Sequence, residues 1–221
     1  MKEKKLYGTA LVCAVLTIVL IALVRCVDVA AIGPAGTRIG LSHLNGSVHE
    51  LTGVNMTWYE ITEWLGRVAI LAAVVFAALG CVQLLRRKHL KKVDPEILCL
   101  GGLFVAIAVV YVFFEKVIVN YRPILMPGCT EPEASFPSSH TMLSCSVLGG
   151  VILVLDKYIK NKSLCTALRA LCALVMAVMV AGVLVSGVHW FTDILGGLLI
   201  SGALLAAFAG GLHTIREKET L

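Results

Sequence analysis

The chain has 221 residues, of which 58% are apolar and only 15% charged, and its mean hydropathy is +0.90. A water-soluble domain of this length cannot bury so much apolar surface, so the composition excludes a soluble globular enzyme and predicts a polytopic membrane protein. The net charge of +5 comes from Lys and Arg at the ends of apolar runs, a pattern typical of membrane-flanking segments and not of nucleic-acid binding.

Six apolar runs predict an all-α bundle of six transmembrane helices, in a single domain that covers residues 1–221. A helix needs ~20 residues to cross a bilayer, and five of the runs approach or reach that length, whereas the fourth has only about 15. The first run is longer than the apolar core of a signal peptide and predicts a retained helix. The runs are Leu6–Val24, Val68–Leu85, Ile97–Phe114, Thr141–Leu155, Leu164–Val185 and Ile194–Leu212.

The distribution of basic residues predicts the orientation in the cell membrane. Fourteen of the nineteen Lys and Arg residues lie in segments that share one side if the N-terminus is cytoplasmic. The positive-inside rule therefore places both termini in the cytoplasm and the loop after the first run outside. In that loop, Met56–Leu65 is rich in aromatic residues and is predicted as either a short interfacial helix or an ordinary extracellular loop. Cys26 and Cys129 both fall in outer loops and are candidates for a disulfide.

Polar residues at the outer ends of the runs are the candidates for a functional site, because ionisable groups at membrane depth are costly unless they are paired or solvated. His189 and Asp193 are four residues apart, so they share a helix face if the last helix begins here. A carboxylate on one imidazole nitrogen leaves the other nitrogen free, which suits a nucleophile or a general base. The alternative interpretation is a helix-capping Asp beside an interfacial His.

A second polar segment precedes the fourth run. Ser138 and Ser139 stand before His140 at a predicted helix start, where free backbone N–H groups and the helix dipole favour phosphate. Arg122, followed by a proline, adds a guanidinium that can grip phosphate oxygens. The alternative is a plain helix cap. No acidic cluster suggests a metal, so we predict a phosphate site without metal or cofactor.

These motifs resemble those of the type 2 phosphatidic acid phosphatase (PAP2) superfamily: Lys-x6-Arg-Pro, then Pro-Ser-Gly-His, then Ser-Arg-x5-His-x3-Asp. The resemblance implies that His189 attacks phosphorus, that Asp193 orients it, and that His140 protonates the leaving group and then activates water. It also implies that the phosphate oxygens are held by Arg122, Ser138, Ser139 and Lys116.

The sequence departs from the family pattern at three positions. Ser139 replaces the glycine of the second motif, Val183 stands where the arginine of the third motif is expected, and Glu115 occupies the lysine register, with Lys116 one residue late. The leading hypothesis is an extracytoplasmic lipid phosphatase acting on phosphatidic acid, phosphatidylglycerol phosphate or a polyprenyl diphosphate. The alternatives are a lipid phosphotransferase and a degenerate, non-catalytic membrane protein that binds lipid phosphate.

Overall fold

The computed structural model describes residues 2–220, which form seven α-helices joined by loops with two short 3₁₀ turns. Six of these helices are long and apolar enough to cross a membrane, which confirms the predicted six-span bundle. The helices are α1 (Lys2–Cys26), α2 (Ser42–Thr52), α3 (Met56–Arg87), α4 (Pro95–Lys116), α5 (Ser139–Tyr158), α6 (Lys162–Ser186) and α7 (Phe191–Thr220).

The second span differs from its prediction. Met56–Leu65 is neither a separate interfacial helix nor a loop but the first part of α3, which runs for 32 residues. The helix starts there because the Asn55 side chain accepts the Trp58 N–H at 3.2 Å, capping the first turn. No proline follows to interrupt it. The short helix of the outer loop is instead α2, which the sequence analysis did not predict.

The fourth span, predicted to be short, is 20 residues long and is the most buried of the six. The helix extends beyond the predicted run through polar residues at both ends, Ser139 and His140 at one and residues 156–158 at the other. Within the run, Ser146 bonds to Ser201 of α7 at 3.1 Å. Gly149 and Gly150 let neighbouring helices pack closely against α5. A Cβ added at Gly149 would lie 2.5 Å from Leu205, and one added at Gly150 would lie 2.6 Å from Leu103. Small residues and interhelical hydrogen bonds are the usual means of packing membrane helices.

Charged groups fix one end of the bundle. The carboxylate of Glu96 is 2% exposed and pairs with Lys157, and Arg216 lies 4.0 Å away. Asp94 pairs with Arg87 at 2.7 Å. The basic loops gather at this end, so it is the end that the sequence assigns to the cytoplasm.

Three connections meet at the opposite end: residues 27–55, residues 117–138 and the turn of residues 187–190. Arg25 donates to the Ile118 carbonyl at 3.2 Å, and the Asn55 N–H donates to Ser186 at 3.0 Å. Asn45 of α2 contacts Thr192 at 3.1 Å. All the predicted catalytic and phosphate-binding residues lie at this end. Cys26 and Cys129 are also here, but as free thiols.

Candidate active site

The loop of residues 117–138 folds back on itself and so brings distant polar residues together. The Arg122 N–H donates to the Glu133 carbonyl at 3.0 Å, and the Ser135 N–H donates to the Asn120 carbonyl at 3.1 Å. This antiparallel pairing aligns Asn120 with Ser135 and Arg122 with Glu133. The Trp190 indole N–H then ties the loop to the turn before α7, through a 2.7 Å bond to the Tyr121 carbonyl.

Asp193, in the first turn of α7, is fully buried and is held by three donors. Its carboxylate accepts hydrogen bonds from Asn120 Nδ2 at 3.0 Å, from the Ser135 hydroxyl, and from the Trp190 N–H at 2.9 Å. His189 Nδ1 lies 3.5 Å from Asp193 Oδ2 and 3.2 Å from Ser135 Oγ. Since 3.5 Å is long for a hydrogen bond, Ser135 bridges the imidazole to the carboxylate.

The other nitrogen of the same ring faces a guanidinium. Arg122 Nη1 lies 3.3 Å from His189 Nε2 and also donates to the Val188 carbonyl at 3.3 Å. A guanidinium can only donate, so Nε2 carries the lone pair and Nδ1 carries the proton. Arg122 also forms an ion pair with Glu133, with Nε 3.2 Å from Oε2.

The environment keeps the His189 ring neutral. Burial lowers its pKa to about 4; Asp193 opposes this shift, while the charges of Arg122 and His140 lower the pKa further. At neutral pH the ring is therefore uncharged, with its Nε2 electron pair available, which is the form that a nucleophile requires.

The two serines before His140 have different surroundings. Ser138 is fully buried, caps α5 by accepting the Thr141 N–H at 3.4 Å, and donates its own N–H to the Asp193 carbonyl at 2.9 Å. Ser139, the first residue of α5, lines the cavity that also contains His189 and Arg122. Ser139 is therefore the serine of this pair that borders the cavity.

His140 has a partner that the sequence analysis did not identify. Its Nε2 lies 2.8 Å from Glu63 Oε1 of α3, and its ring makes an edge contact with Tyr59, with centroids 6.2 Å apart. Glu63 lies within the stretch interpreted as an interfacial helix or a loop, and nothing local in the sequence links it to a histidine 77 positions away.

Two cavities meet at this end and share Ser139. The smaller, about 40 Å³, is bordered by Arg122, His189 and Glu115. The larger, about 490 Å³, is a groove between α3, α4 and α5, with Glu63, Arg67, Ser139 and His140 among its polar lining and aliphatic and aromatic residues along the rest.

The departures from the family pattern have clear positions. Glu115 lines the smaller cavity, whereas Lys116 is exposed at the end of α4 and lines neither cavity. Arg122 lies beyond that helix, so helical spacing does not relate it to residue 115. Val183 is 1% exposed and packs with Met179 and Ile194, so the position of the expected arginine is filled by apolar contacts.

Four site residues were missed from the sequence: Asn120, Ser135, Glu63 and Glu133. Asn120 and Ser135 are buried in the structure, but nothing in the sequence separates them from the other polar residues of the same loop. Their roles depend on the pairing within the loop, which no motif records. Across residues 2–220, no three His, Cys, Asp or Glu side chains converge so that they could hold a metal ion.

Two comparisons with known proteins give a match, one to a protein family and one to a solved structure. The family model of the PAP2 superfamily matches residues 99–216, just over half of the chain, which confirms the resemblance found in the motifs. The fold is similar to the crystal structure of a transmembrane PAP2-type phosphatidylglycerolphosphate phosphatase from Bacillus subtilis, with a TM-score of 0.63 and 17% identity over 96% of each chain. None of the curated proteins matches the sequence.

Proposed function

The chain belongs to the PAP2 superfamily, and from that premise we propose that it hydrolyses the phosphate ester of a membrane lipid through a phosphohistidine at His189. The observation that supports this most directly is the state of the His189 ring. Its Nε2 lone pair lies 3.3 Å from the Arg122 guanidinium, and its Nδ1 is linked to the buried Asp193 carboxylate through Ser135. A nucleophile, its orienting group and a phosphate ligand are thus assembled in one place.

In the first step, Nε2 of His189 attacks phosphorus and the bond from phosphorus to the lipid oxygen breaks. His140 donates a proton to the departing alkoxide. Arg122 and Ser139, with the N–H groups at the start of α5, hold the phosphoryl oxygens. Lys116 approaches from the rim through its flexible stem. The ring of His189 becomes positively charged, and Asp193 stabilises that charge.

In the second step, a water molecule attacks the phosphoryl group while His140, now neutral, accepts a proton from it. The bond between nitrogen and phosphorus breaks, and inorganic phosphate leaves. Ser138 serves this step indirectly, because its bond to the Asp193 carbonyl holds the start of α5 against α7.

The groove between α3, α4 and α5 supports a lipid as the leaving group. His140 lines the polar end of the groove, and the rest of the lining is largely apolar. A leaving alkoxide next to His140 would therefore continue into a space suited to a hydrocarbon chain. Phosphatidic acid has this form directly, phosphatidylglycerol phosphate has a glycerol and a phosphodiester between the leaving alkoxide and the hydrocarbon chains, and a polyprenyl diphosphate would instead release a polyprenyl phosphate.

The orientation of the protein is part of the proposal. With the basic end in the cytoplasm, the site faces the outside of the cell membrane. Cys26 and Cys129 lie at the site end. A membrane-impermeant maleimide should label a variant that retains only Cys129 in intact cells. Labelling that requires broken cells would contradict the orientation.

The function is tested by phosphate release from a panel of lipid phosphates by purified protein in detergent micelles. We expect turnover and an acid-labile phosphoenzyme from wild type, both lost in His189→Ala and both kept in the control His89→Ala, whose side chain is exposed at the opposite end. Equal inertness of wild type and His189→Ala would refute the proposal, and lipid-phosphate binding without turnover would favour a binding protein. Transfer of phosphate to a lipid alcohol would instead identify a phosphotransferase.

A further inference from the structure

The imidazole of His140 presents one particular edge to α3. Its Nε2 lies 2.8 Å from Glu63 Oε1, and a Cβ built on Gly66, one turn further along the helix, would lie 3.5 Å from its Cδ2. Nε2 and Cδ2 are adjacent ring atoms, so this edge is covered by α3. Nδ1 lies on the opposite edge of the ring.

We propose that Glu63 is the positioning residue for His140. It holds the Nε2 proton and leaves Nδ1 as the atom that donates a proton to the leaving alkoxide and then accepts one from water. A carboxylate on one imidazole nitrogen fixes the tautomer and orientation of the ring. The inference rests on the proposed phosphatase function and adds a residue to it, because Glu63 lies outside the residues that the family model matches.

The site then contains two carboxylate–imidazole pairs, which differ in the ring nitrogen that the carboxylate acts on. Asp193 acts on Nδ1 of His189, through Ser135, and leaves Nε2 free for phosphorus. Glu63 acts on Nε2 of His140 and leaves Nδ1 free for a proton. The first pair is almost inaccessible to solvent, with its imidazole held neutral. The second is partly accessible, with side-chain exposures of 16% for His140 and 35% for Glu63.

The surroundings of His140 explain why it needs a carboxylate. Among the described residues, Glu63 is the group that forms an ion pair with the ring, with Oε1 2.8 Å from Nε2. The proton that the first step consumes is therefore retained by the ion pair with Glu63. The titratable and charged groups around the ring are Glu63 and Tyr59 of α3, Arg122 and His189, with Tyr111 of α4 and Arg67 of α3 along the same groove.

The test uses Glu63→Gln, the charge-conserving Glu63→Asp, and Glu60→Gln as a matched control on the exposed side of α3. On a lipid phosphate, Glu63→Gln should lower kcat about tenfold or more at pH 8 and by less at pH 5.5. Without the carboxylate beside it, the imidazole of His140 gives up its proton at a lower pH. The alkaline limb of the kcat profile should therefore move to lower pH. Glu63→Asp should keep the wild-type profile, and Glu60→Gln should keep wild-type rates.

A substrate with an activated leaving group separates this role from a structural one. The first-turnover burst of nitrophenolate from p-nitrophenyl phosphate needs no proton donor, so Glu63→Gln should keep the burst while losing alkyl phosphate cleavage. Loss of both reactions together, or an unchanged pH profile, would overturn the assignment of Glu63. If Glu63→Gln does not fold, Glu63→Ala takes its place in both assays, with the same expected shift and the same outcomes overturning the assignment. Failure of the phosphatase proposal would look different, since wild type itself would release no phosphate.

Discussion

Replacing Asp193 by asparagine removes one buried negative charge and little else. The new amide oxygen can accept the hydrogen bonds of the Trp190 N–H and the Ser135 hydroxyl. Its NH₂ would face Asn120, whose Oδ1 is buried and has no hydrogen-bond partner. If the Asn120 amide rotates, that oxygen accepts from the new NH₂ and the Asn120 NH₂ takes the unpaired place, so the number of unpaired polar groups does not rise. We therefore expect a stability loss of only about 1–3 kcal/mol, the difference between charged and neutral hydrogen bonds.

The effect on catalysis should be much larger. His189 is neutral in the free protein but becomes cationic when phosphorus is attached, and the carboxylate oxygen lies 3.5 Å from its Nδ1. Coulomb's law at an effective dielectric constant of ~20 gives about 5 kcal/mol at this distance, which corresponds to roughly 10³–10⁴-fold in kcat. Both side chains are at most 1% exposed, so solvent does little to screen the interaction.

The assay is phosphate release from a lipid phosphate by purified Asp193→Asn in micelles, with thermal unfolding measured on the same samples. We expect the melting temperature to fall by a few degrees and kcat to fall by about 10³-fold or more. A rate within tenfold of wild type, in protein that unfolds at the wild-type temperature, would show that the Asp193 charge does not stabilise the intermediate. The electrostatic reasoning would then be wrong.

Three further outcomes follow from the site. Because burial lowers the pKa of His189 to about 4, its ring should stay neutral between pH 7 and 5 in NMR spectra of the ¹⁵N-histidine-labelled protein. The His189 signal is identified by its absence in His189→Gln, and titration of that signal near pH 6.5 would contradict the expectation. Glu133→Gln frees Arg122 from its ion pair and should tighten competitive inhibition by inorganic phosphate up to about fivefold; unchanged or weaker inhibition would show that the pair does not compete with phosphate. Val183→Arg should not raise activity above wild type, because residue 183 is buried against Ile194; we expect a stability loss of roughly 3 kcal/mol or more in thermal unfolding, and wild-type stability with higher kcat/KM would refute this.

Local patterns in the sequence determined the helical architecture. The six spans follow from apolar length, and His189 lies 3.5 Å from Asp193 because the two are close in the chain, although α7 begins only at Phe191 and His189 lies in the turn before it. Such features depend on neighbours in the chain, so composition and spacing predict them. The errors arose where local composition misled: polar residues at both ends of α5 fell outside its apolar run, and aromatic residues hid the continuity of α3.

Only the tertiary structure determined which groups support the two histidines. Asn120 reaches Asp193 across 73 positions, and Glu63 reaches His140 across 77, through the fold of the loop and the packing of α3 against α5. A buried carboxylate or imidazole can pair with any complementary donor or acceptor that packing brings within about 3 Å, and many polar residues along the chain could have met that requirement. The choice among them is made by helix packing and loop pairing, which act over distances that sequence spacing does not encode.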